Sequence, residues 1–256
     1  MSACVKKRLE RGENLGAIWL SLGSPAIAEF AAAAAPDLIV IDRQHGLWAR
    51  ASLEAAVGVA RPISVLARLA DHAPTSISEA LDAGAEGVIA PLVESADQAR
   101  AIVAAARFPP QGARSGGGVR PVKDFVAYVE RARRETVVGV MIETRTGVEN
   151  AKEIADVEGV DFVFIGTGDL SLSLDEFPAP GAKHAQALAE ILAACRRAGK
   201  ACGAFTGSVE AAARRRAEGF VLVTVSTDVD LIRDGFRAAK QSFADVPKQT
   251  REPQKS

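Results

Sequence analysis

Five ionisable side chains follow or end apolar runs of this chain: Asp42, His45, Arg68, Glu143 and Asp169. Glu143 and Asp169 come after two consecutive runs, and such a pair of carboxylates can hold one divalent cation, with Mg²⁺ or Mn²⁺ favoured by hard oxygen ligands. His45 is the best general base by residue type, and Asp42 could orient it and stabilise its charged form. Arg68 could hold a carboxylate or a developing enolate. These residue types predict an enzyme that moves a proton beside a divalent cation.

A structural role is the alternative for each of these side chains. Glu143 and Asp169 could be two solvated acids, and Arg68 could form a structural ion pair. A lone His is more often structural than catalytic; His45 stands beside an Asp at a strand end, whereas His72 and His184 lack the context of His45 and are expected at the surface. No lysine falls at the C-terminal end of a predicted strand, so a Schiff-base mechanism has no obvious amine.

Eight apolar runs predict the strands that would position these side chains. Most of them are apolar on both alternating faces, which is typical of parallel strands buried on both sides. The predicted strands are residues 17–22, 37–42, 63–69, 87–93, 137–143, 161–166, 201–205 and 220–226. The predicted helices are residues 24–35, 52–60, 74–83, 95–106, 122–134, 146–157, 184–198 and 208–218, with a last helix from about 228 to 244.

The alternation of strands and helices favours a single (β/α)8 barrel with an extra C-terminal helix, a fold of typically ~250 residues. A Gly stands between a helix and the next strand at several joints, where it can end the helix in the left-handed conformation. An open doubly wound sheet is the alternative, but the first strand is not followed by a glycine-rich phosphate loop. Residues 108–121 and 172–183 are predicted to be long loops.

The composition excludes several classes of protein. The chain has 256 residues, of which 48% are hydrophobic, and a net charge of −1, which gives no electrostatic reason to expect a nucleic-acid partner. The first residues are too polar for a signal peptide, and no stretch resembles a membrane span. Three cysteines without metal-binding spacing favour a reduced, cytoplasmic protein. We predict one domain over residues 1–245 and a disordered polar tail over residues 246–256.

Several stretches of the sequence resemble the HpcH/HpaI aldolase family, from about residue 16 to residue 236. The residues that carry the resemblance are Ile41-Asp-Arg-Gln-His45, Ala67-Arg68, residues 81–91, residues 106–114, Ile142-Glu-Thr144 and residues 157–171. The most specific is the last, which ends in Phe164-Ile-Gly-Thr-Gly-Asp169-Leu-Ser171. Members of this family are metal-dependent pyruvate aldolases on a (β/α)8 barrel.

The resemblance implies a role for each candidate residue. Glu143 and Asp169 would bind the metal, which is Mg²⁺ or Mn²⁺ with Co²⁺ or Zn²⁺ as alternatives. His45 would be the acid/base, and Arg68 would stabilise the enolate. The counterpart of Asp82 makes the catalytic His more basic in the family. Because Asp82 precedes the fourth strand, at the far end of its own barrel, it could reach a His only in another subunit. A homo-oligomer, a trimer or a hexamer with exchanged C-terminal helices, is therefore expected.

Three departures from the family pattern concern substrate binding. The chain has Gln44 where the family usually has Glu, Met141 where it has Gln, and Thr167-Gly168 where it has Pro-Ala. Met141 and Gly168, with Arg68 and Asp169, are the predicted substrate-binding residues. A methionine supplies none of the hydrogen bonds of the amide that it replaces.

Three hypotheses about function follow. The first is a divalent-metal lyase that cleaves or forms 4-hydroxy-2-oxo acids from pyruvate and an aldehyde through the pyruvate enolate. The second is an oxaloacetate decarboxylase, or a related lyase, that forms the same enolate. The third is a barrel that binds a small 2-oxo acid without turning it over.

Overall fold

A computed structural model describes residues 4–119 and 124–245 of the chain. Eight parallel strands form a closed barrel in which each strand pairs with its neighbours in chain order and β8 pairs with β1. The strands are β1 (Leu15–Leu20), β2 (Leu38–Asp42), β3 (Val65–Arg68), β4 (Gly87–Ala90), β5 (Val137–Ile142), β6 (Phe162–Ile165), β7 (Ala201–Ala204) and β8 (Leu222–Thr227). The predicted (β/α)8 barrel is confirmed, and the open sheet is excluded.

Helices follow every strand and cover most of the outside of the barrel. Within the described residues they are α1 (Val5–Glu10), α2 (Pro25–Ala33), α3 (Arg50–Val59), α4 (Pro74–Asp82), α5 (Ala96–Ala106), α6 (Phe125–Glu135), α7 (Arg145–Glu149), α8 (Ala151–Ala155), α9 (Thr167–Ser173), α10 (Ala182–Arg197), α11 (Val209–Glu218) and α12 (Asp228–Ala244). None of these helices is both long enough and apolar enough to cross a membrane. The predicted tail, residues 246–256, lies outside the described residues.

Three helical regions differ from the prediction. Helix α1 was not predicted, and α9 occupies the start of the predicted loop 172–183 and the residues before it. The predicted helix 146–157 is divided into α7 and α8 at Asn150. The side chain of Asn150 donates a hydrogen bond to the backbone oxygen of Glu94, 2.7 Å away. This contact with another segment of the chain coincides with the break in the helix.

The inside of the barrel is filled by aromatic rings that lie opposite glycines on the neighbouring strands. Phe162 and Phe164 on β6 are fully buried. A Cβ atom at Gly139 on β5 would lie 2.3 Å from the ring of Phe162, and one at Gly203 on β7 would lie 2.7 Å from the ring of Phe164. The absence of side chains on β5 and β7 at these positions therefore makes room for the two rings. The result is a packed floor beneath the open end of the barrel.

Helix α1 packs at the end of the barrel from which the strands start. Val5 and Leu9 are buried and belong to the same apolar cluster as the rings of β6. The backbone N–H of Val5 donates to the carboxylate of Glu86, 2.6 Å away, and Lys6 forms an ion pair with Asp161 at 3.0 Å. The strands therefore open towards solvent only at their C-terminal end, where the candidate residues lie.

Helix α12 does not cover the strand that precedes it. Its only buried residue is Asp228, and the side chains of Phe236 and Phe243 are 74% and 81% exposed. A groove of about 540 Å³ lies beside α11 on the outer surface of β8 and β1, and apolar side chains form most of its lining. In a complete barrel this position belongs to the helix that follows the eighth strand.

Candidate active site

Seven of the eight predicted site residues line one cavity of about 340 Å³ at the C-terminal end of the strands. They are Asp42, His45, Arg68, Met141, Glu143, Gly168 and Asp169. The cavity is also lined by residues that were not among the predicted site residues, namely Trp19, Ser21, Gly166, Thr167, Phe205, Thr227, Val229 and Asp230. The barrel therefore brings together, at the expected end, side chains that lie far apart in the chain.

Asp42 holds Arg68 in one orientation. The guanidinium donates from Nε to Asp42 Oδ1 at 2.9 Å and from Nη2 to Asp42 Oδ2 in a very short hydrogen bond. Trp19 donates its indole N–H to Oδ2 at 3.2 Å, and its ring lies 5.2 Å from the guanidinium carbon. Both members of this pair are buried. The two-point contact and the stacked ring fix Arg68 at the floor of the cavity.

The same contacts change the role expected for Asp42. Burial alone would raise the pKa of Asp42, but the hydrogen bonds and charge of Arg68 outweigh it, so that the pKa lies below its ordinary value. The carboxylate of Asp42 also accepts a hydrogen bond of 3.1 Å from the backbone N–H of His45. The imidazole of His45 is exposed in the cavity. Asp42 thus orients Arg68 and the turn that carries His45, whereas the sequence predicted that it would orient the imidazole.

Glu143 is buried at the wall of the cavity. It is 1% exposed, and its Oε1 accepts the backbone N–H of Leu92 at 2.8 Å. Leu92 has a φ of 53°, a left-handed conformation that few residues other than Gly adopt. Glu143 Oε2 is buried without a hydrogen-bond partner within the described residues. A Cβ atom at Gly166 would lie 2.1 Å from this oxygen, so Gly166 leaves the space that the carboxylate occupies.

The electrostatic environment of Glu143 suits a side chain that binds a metal cation. Burial raises the pKa of Glu143 to about 7, the hydrogen bond from Leu92 opposes this rise, and the neighbouring charge of Asp169 adds to it. Asp169 lies in the first turn of α9, just beyond the end of β6, which pairs with β5. Two adjacent carboxylates, one with an unpartnered buried oxygen, fit a divalent cation that takes its other ligands from water and substrate.

The described residues contain no group of three or more His, Cys, Asp or Glu side chains that could hold a metal ion. The donor set at this place is therefore two carboxylates. Mg²⁺ is commonly held by one or two carboxylates together with oxygens of the substrate. The residues present fit such an ion.

His184 belongs to the support of the site, although the sequence predicted a surface position. It is 7% exposed, and its Nε2 lies 3.0 Å from the backbone oxygen of Thr167, at the start of α9. Because a carbonyl oxygen only accepts, Nε2 donates this hydrogen bond. Glu176 accepts the backbone N–H of His184 at 2.8 Å and so anchors the start of α10. His184 therefore ties α10 to the turn that presents Asp169.

Asp82 lies at the other end of the barrel, at the end of α4. Its carboxylate accepts a hydrogen bond of 2.7 Å from Arg114, which is buried between Phe108 and Tyr128. Asp82 therefore does not reach His45 of its own chain. A role for Asp82 in the site of another subunit stays a prediction.

The chain was compared with families and with known proteins. A model of the HpcH/HpaI aldolase/citrate lyase family matches residues 16–235. The chain belongs to this family. A 4-hydroxy-2-oxovalerate aldolase of Rhodococcus jostii (strain RHA1) is 36% identical over 94% of this chain and 96% of its own length. A hydroxypyruvate/pyruvate aldolase of Deinococcus radiodurans is 35% identical over 99% of this chain and 94% of its own length.

The HpcH/HpaI fold is also found among solved structures. A family member from Burkholderia cenocepacia J2315 superposes with a TM-score of 0.89 at 33% identity, over 94% of this chain and 99% of its own. The family predicted from the sequence motifs is thereby confirmed, and with it the prediction of a lyase of the aldolase type. Family membership alone does not assign roles to individual residues of this chain.

Proposed function

We propose that this chain is a divalent-metal-dependent aldolase that cleaves 4-hydroxy-2-oxo acids to pyruvate and an aldehyde, or joins them in reverse. The observation that carries the proposal is the convergence in one cavity of two carboxylates, of which Glu143 is buried, with a fixed guanidinium and an exposed imidazole. Its relatives named 4-hydroxy-2-oxovalerate aldolase support 4-hydroxy-2-oxovalerate as the first substrate to test.

Each side chain has a separate task in the cleavage. His45 accepts the proton of the 4-hydroxyl group, the C3–C4 bond breaks, and its electron pair forms the pyruvate enolate. Arg68 faces the cavity and stabilises the negative charge of the enolate oxygen. Glu143 and Asp169 would hold Mg²⁺ or Mn²⁺, or Co²⁺ or Zn²⁺, which when bound supplies Lewis acidity for the 2-oxo group. Protonation at C3 releases pyruvate.

Decarboxylation of oxaloacetate is the second candidate function. It requires the same enolate but no aldehyde site and no proton transfer from a 4-hydroxyl group. Met141 permits a shifted specificity of this kind, because its thioether is 1% exposed at the cavity wall and offers no hydrogen-bond donor to a substrate. A shifted substrate preference is the expected consequence of an apolar side chain at this position.

Two measurements test the proposal. Incubation of the enzyme with pyruvate and Mn²⁺ in deuterium oxide should exchange the pyruvate methyl protons, as followed by NMR, and Arg68→Met should abolish the exchange. Absence of exchange in a folded protein that binds Mn²⁺ would refute the enolate scheme and favour simple binding of a 2-oxo acid. Release of carbon dioxide from oxaloacetate, without cleavage of 4-hydroxy-2-oxovalerate, would favour the decarboxylase.

A homo-oligomer, a trimer or a hexamer, is part of the same proposal. The exposed rings of Phe236 and Phe243 lie on one face of α12, and the groove beside α11 lacks a covering helix. We expect α12 of a second copy to fill the groove. Phe236→Asp should lower the mass measured by analytical ultracentrifugation. Ala238→Asp, which adds the same charge about 200° around the helix, should not, and an equal effect of both would contradict the exchange.

Asp82 would then contribute to the site of a neighbouring subunit. Asp82→Asn and His45→Asn should each be nearly inactive, and mixed oligomers of the two variants should regain activity. Mixing without any recovery would argue that Asp82 has only its structural contact with Arg114. A cytoplasmic location stays a prediction.

A further inference from the structure

The cavity has two chemically different sides. Arg68, Glu143 and Asp169, which follow β3, β5 and β6, form the side that holds the enolate in the proposed function, on which this inference rests. The opposite side is built by the consecutive strands β7, β8 and β1 and by the residues that follow them. Its lining residues are Trp19, Ser21, Phe205, Thr227, Val229 and Asp230. An aldehyde that reacts with the enolate has to lie on this second side.

Asp230 is the one charged group on the aldehyde side within the described residues. Thr227 donates its hydroxyl to Asp230 Oδ2 at 2.7 Å, and the backbone N–H of Asp230 donates to the Thr227 hydroxyl at 3.0 Å. This reciprocal pair caps the start of α12 and fixes the carboxylate. Arg233 contacts Oδ1 at 2.5 Å, but Arg233 does not line the cavity. Asp230 therefore presents a fixed negative charge to whatever enters.

No lysine or arginine side chain among the described lining residues is free to balance this charge. Among the described lining residues, Arg68 is the only Lys or Arg, and its guanidinium is already engaged by Asp42. The rest of the aldehyde side is uncharged and includes the rings of Trp19 and Phe205, which pack edge to face at 5.4 Å. A carbon chain can lie against these rings, whereas a terminal carboxylate or phosphate would meet Asp230 without a partner.

We infer that Asp230 is a specificity-determining residue that makes the site favour uncharged aldehydes over anionic ones. The side chain of Asp230 is 39% exposed and shares its charge with Arg233, so the discrimination is moderate. We expect its loss to change the preference between an anionic and a neutral aldehyde about fivefold, in line with a partly screened contact between like charges.

The test compares two variants in the addition of pyruvate to two aldehydes, propanal and succinic semialdehyde. Asp230→Asn keeps a side-chain oxygen that can accept the hydrogen bond from the Thr227 hydroxyl, and it removes the negative charge. Asp234→Asn is the matched control, because Asp234 contacts the same Arg233 at 3.3 Å but lies outside the cavity. The measured quantity is kcat/KM for succinic semialdehyde divided by kcat/KM for propanal.

The wild type should prefer propanal, Asp230→Asn should raise the ratio about fivefold, and Asp234→Asn should leave it unchanged. Added NaCl should raise the wild-type ratio and have little effect on that of Asp230→Asn, because salt screens the repulsion. A ratio that is unchanged in Asp230→Asn, or that rises equally in both variants, would overturn the inference. Failure to add either aldehyde, while pyruvate still exchanges its methyl protons, would overturn both this inference and the aldolase reaction. Failure of the exchange as well would refute the enolate itself.

Discussion

The burial of Glu143, a metal ligand in the proposed function, predicts that its carboxylate lowers the stability of the metal-free protein. In the folded protein the pKa of Glu143 is raised from 4.5 to about 7, and burial is the main cause. Between these two values the folded protein keeps a proton that the unfolded chain has released. Stability from this group is therefore present below a pH of about 4.5 and is lost as the pH rises to about 7. The Gln side chain of Glu143→Gln is neutral at every pH and has a similar shape, so this variant should not lose stability as the pH rises.

The size of the effect follows from the same two values. A rise in pKa from 4.5 to about 7 corresponds to about 3 kcal/mol of unfolding free energy. For a chain of 256 residues this is roughly 6 to 10 °C in the thermal midpoint. We expect Glu143→Gln to be more stable than the wild type by about this amount at pH 8, and to differ little from it at pH 4.5.

The assay is thermal unfolding followed by circular dichroism between pH 4.5 and pH 9, in the presence of a chelator. Excess Mn²⁺ should then raise the midpoint of the wild type at pH 8, because the ion binds the ionised carboxylates of the folded state. The same addition should have little effect on Glu143→Gln. If Glu143→Gln is less stable than the wild type at pH 8 in chelator, the carboxylate does not carry the burial cost that we assign to it.

Three other predictions concern the support of the site. Gly166→Ala should abolish Mn²⁺ binding measured by calorimetry, because the added Cβ would lie 2.1 Å from the Glu143 carboxylate oxygen. Gly168→Ala is the control and should bind Mn²⁺ normally, because a Cβ at Gly168 meets nothing within 4 Å. Equal Mn²⁺ affinities of the two variants would contradict this prediction. Asp42→Asn should lower kcat/KM for cleavage about 10- to 100-fold, as loss of a supporting contact to Arg68 typically does; unchanged kinetics would mean that Arg68 is held by its other contacts. His184→Phe should weaken Mn²⁺ binding about tenfold, and His184→Gln, which keeps an N–H donor, should restore most of it; equal losses would point to packing alone.

The eight strands could be predicted because burial on both faces leaves few residue types for a strand. Strand β2, Leu38–Asp42, and strand β5, Val137–Ile142, are fully buried along their length and read as continuous apolar runs. A charged residue at the C-terminal end of such a strand is expected to face the open end of the barrel, because the rest of the strand is buried. For this reason the sequence alone places Asp42 and Glu143 in one cavity, where the structure has them.

The short helices were harder to predict because their stability comes from contacts outside the helix. Helix α1 has six residues and only two buried side chains, Val5 and Leu9, so its apolar pattern is too short to recognise. Ion pairs with residues at the starts of distant strands hold it in place. Helix α9 has seven residues, and the hydroxyl of its first residue, Thr167, donates to the backbone oxygen of Phe205 on the neighbouring side of the barrel.

The partners of the site residues depend on geometry that a linear pattern does not contain. Asp42 and His45 are three residues apart, and proximity in the sequence favoured their direct interaction. In the barrel, however, β2 pairs with β3 in a register that sets Asp42 opposite Arg68, so the carboxylate meets the guanidinium before it meets the imidazole. The imidazole of His45 therefore faces the cavity, and in the proposed oligomer it would contact a neighbouring subunit. Strand register thus holds Arg68 rigidly and leaves His45 as the base of the proposed reaction.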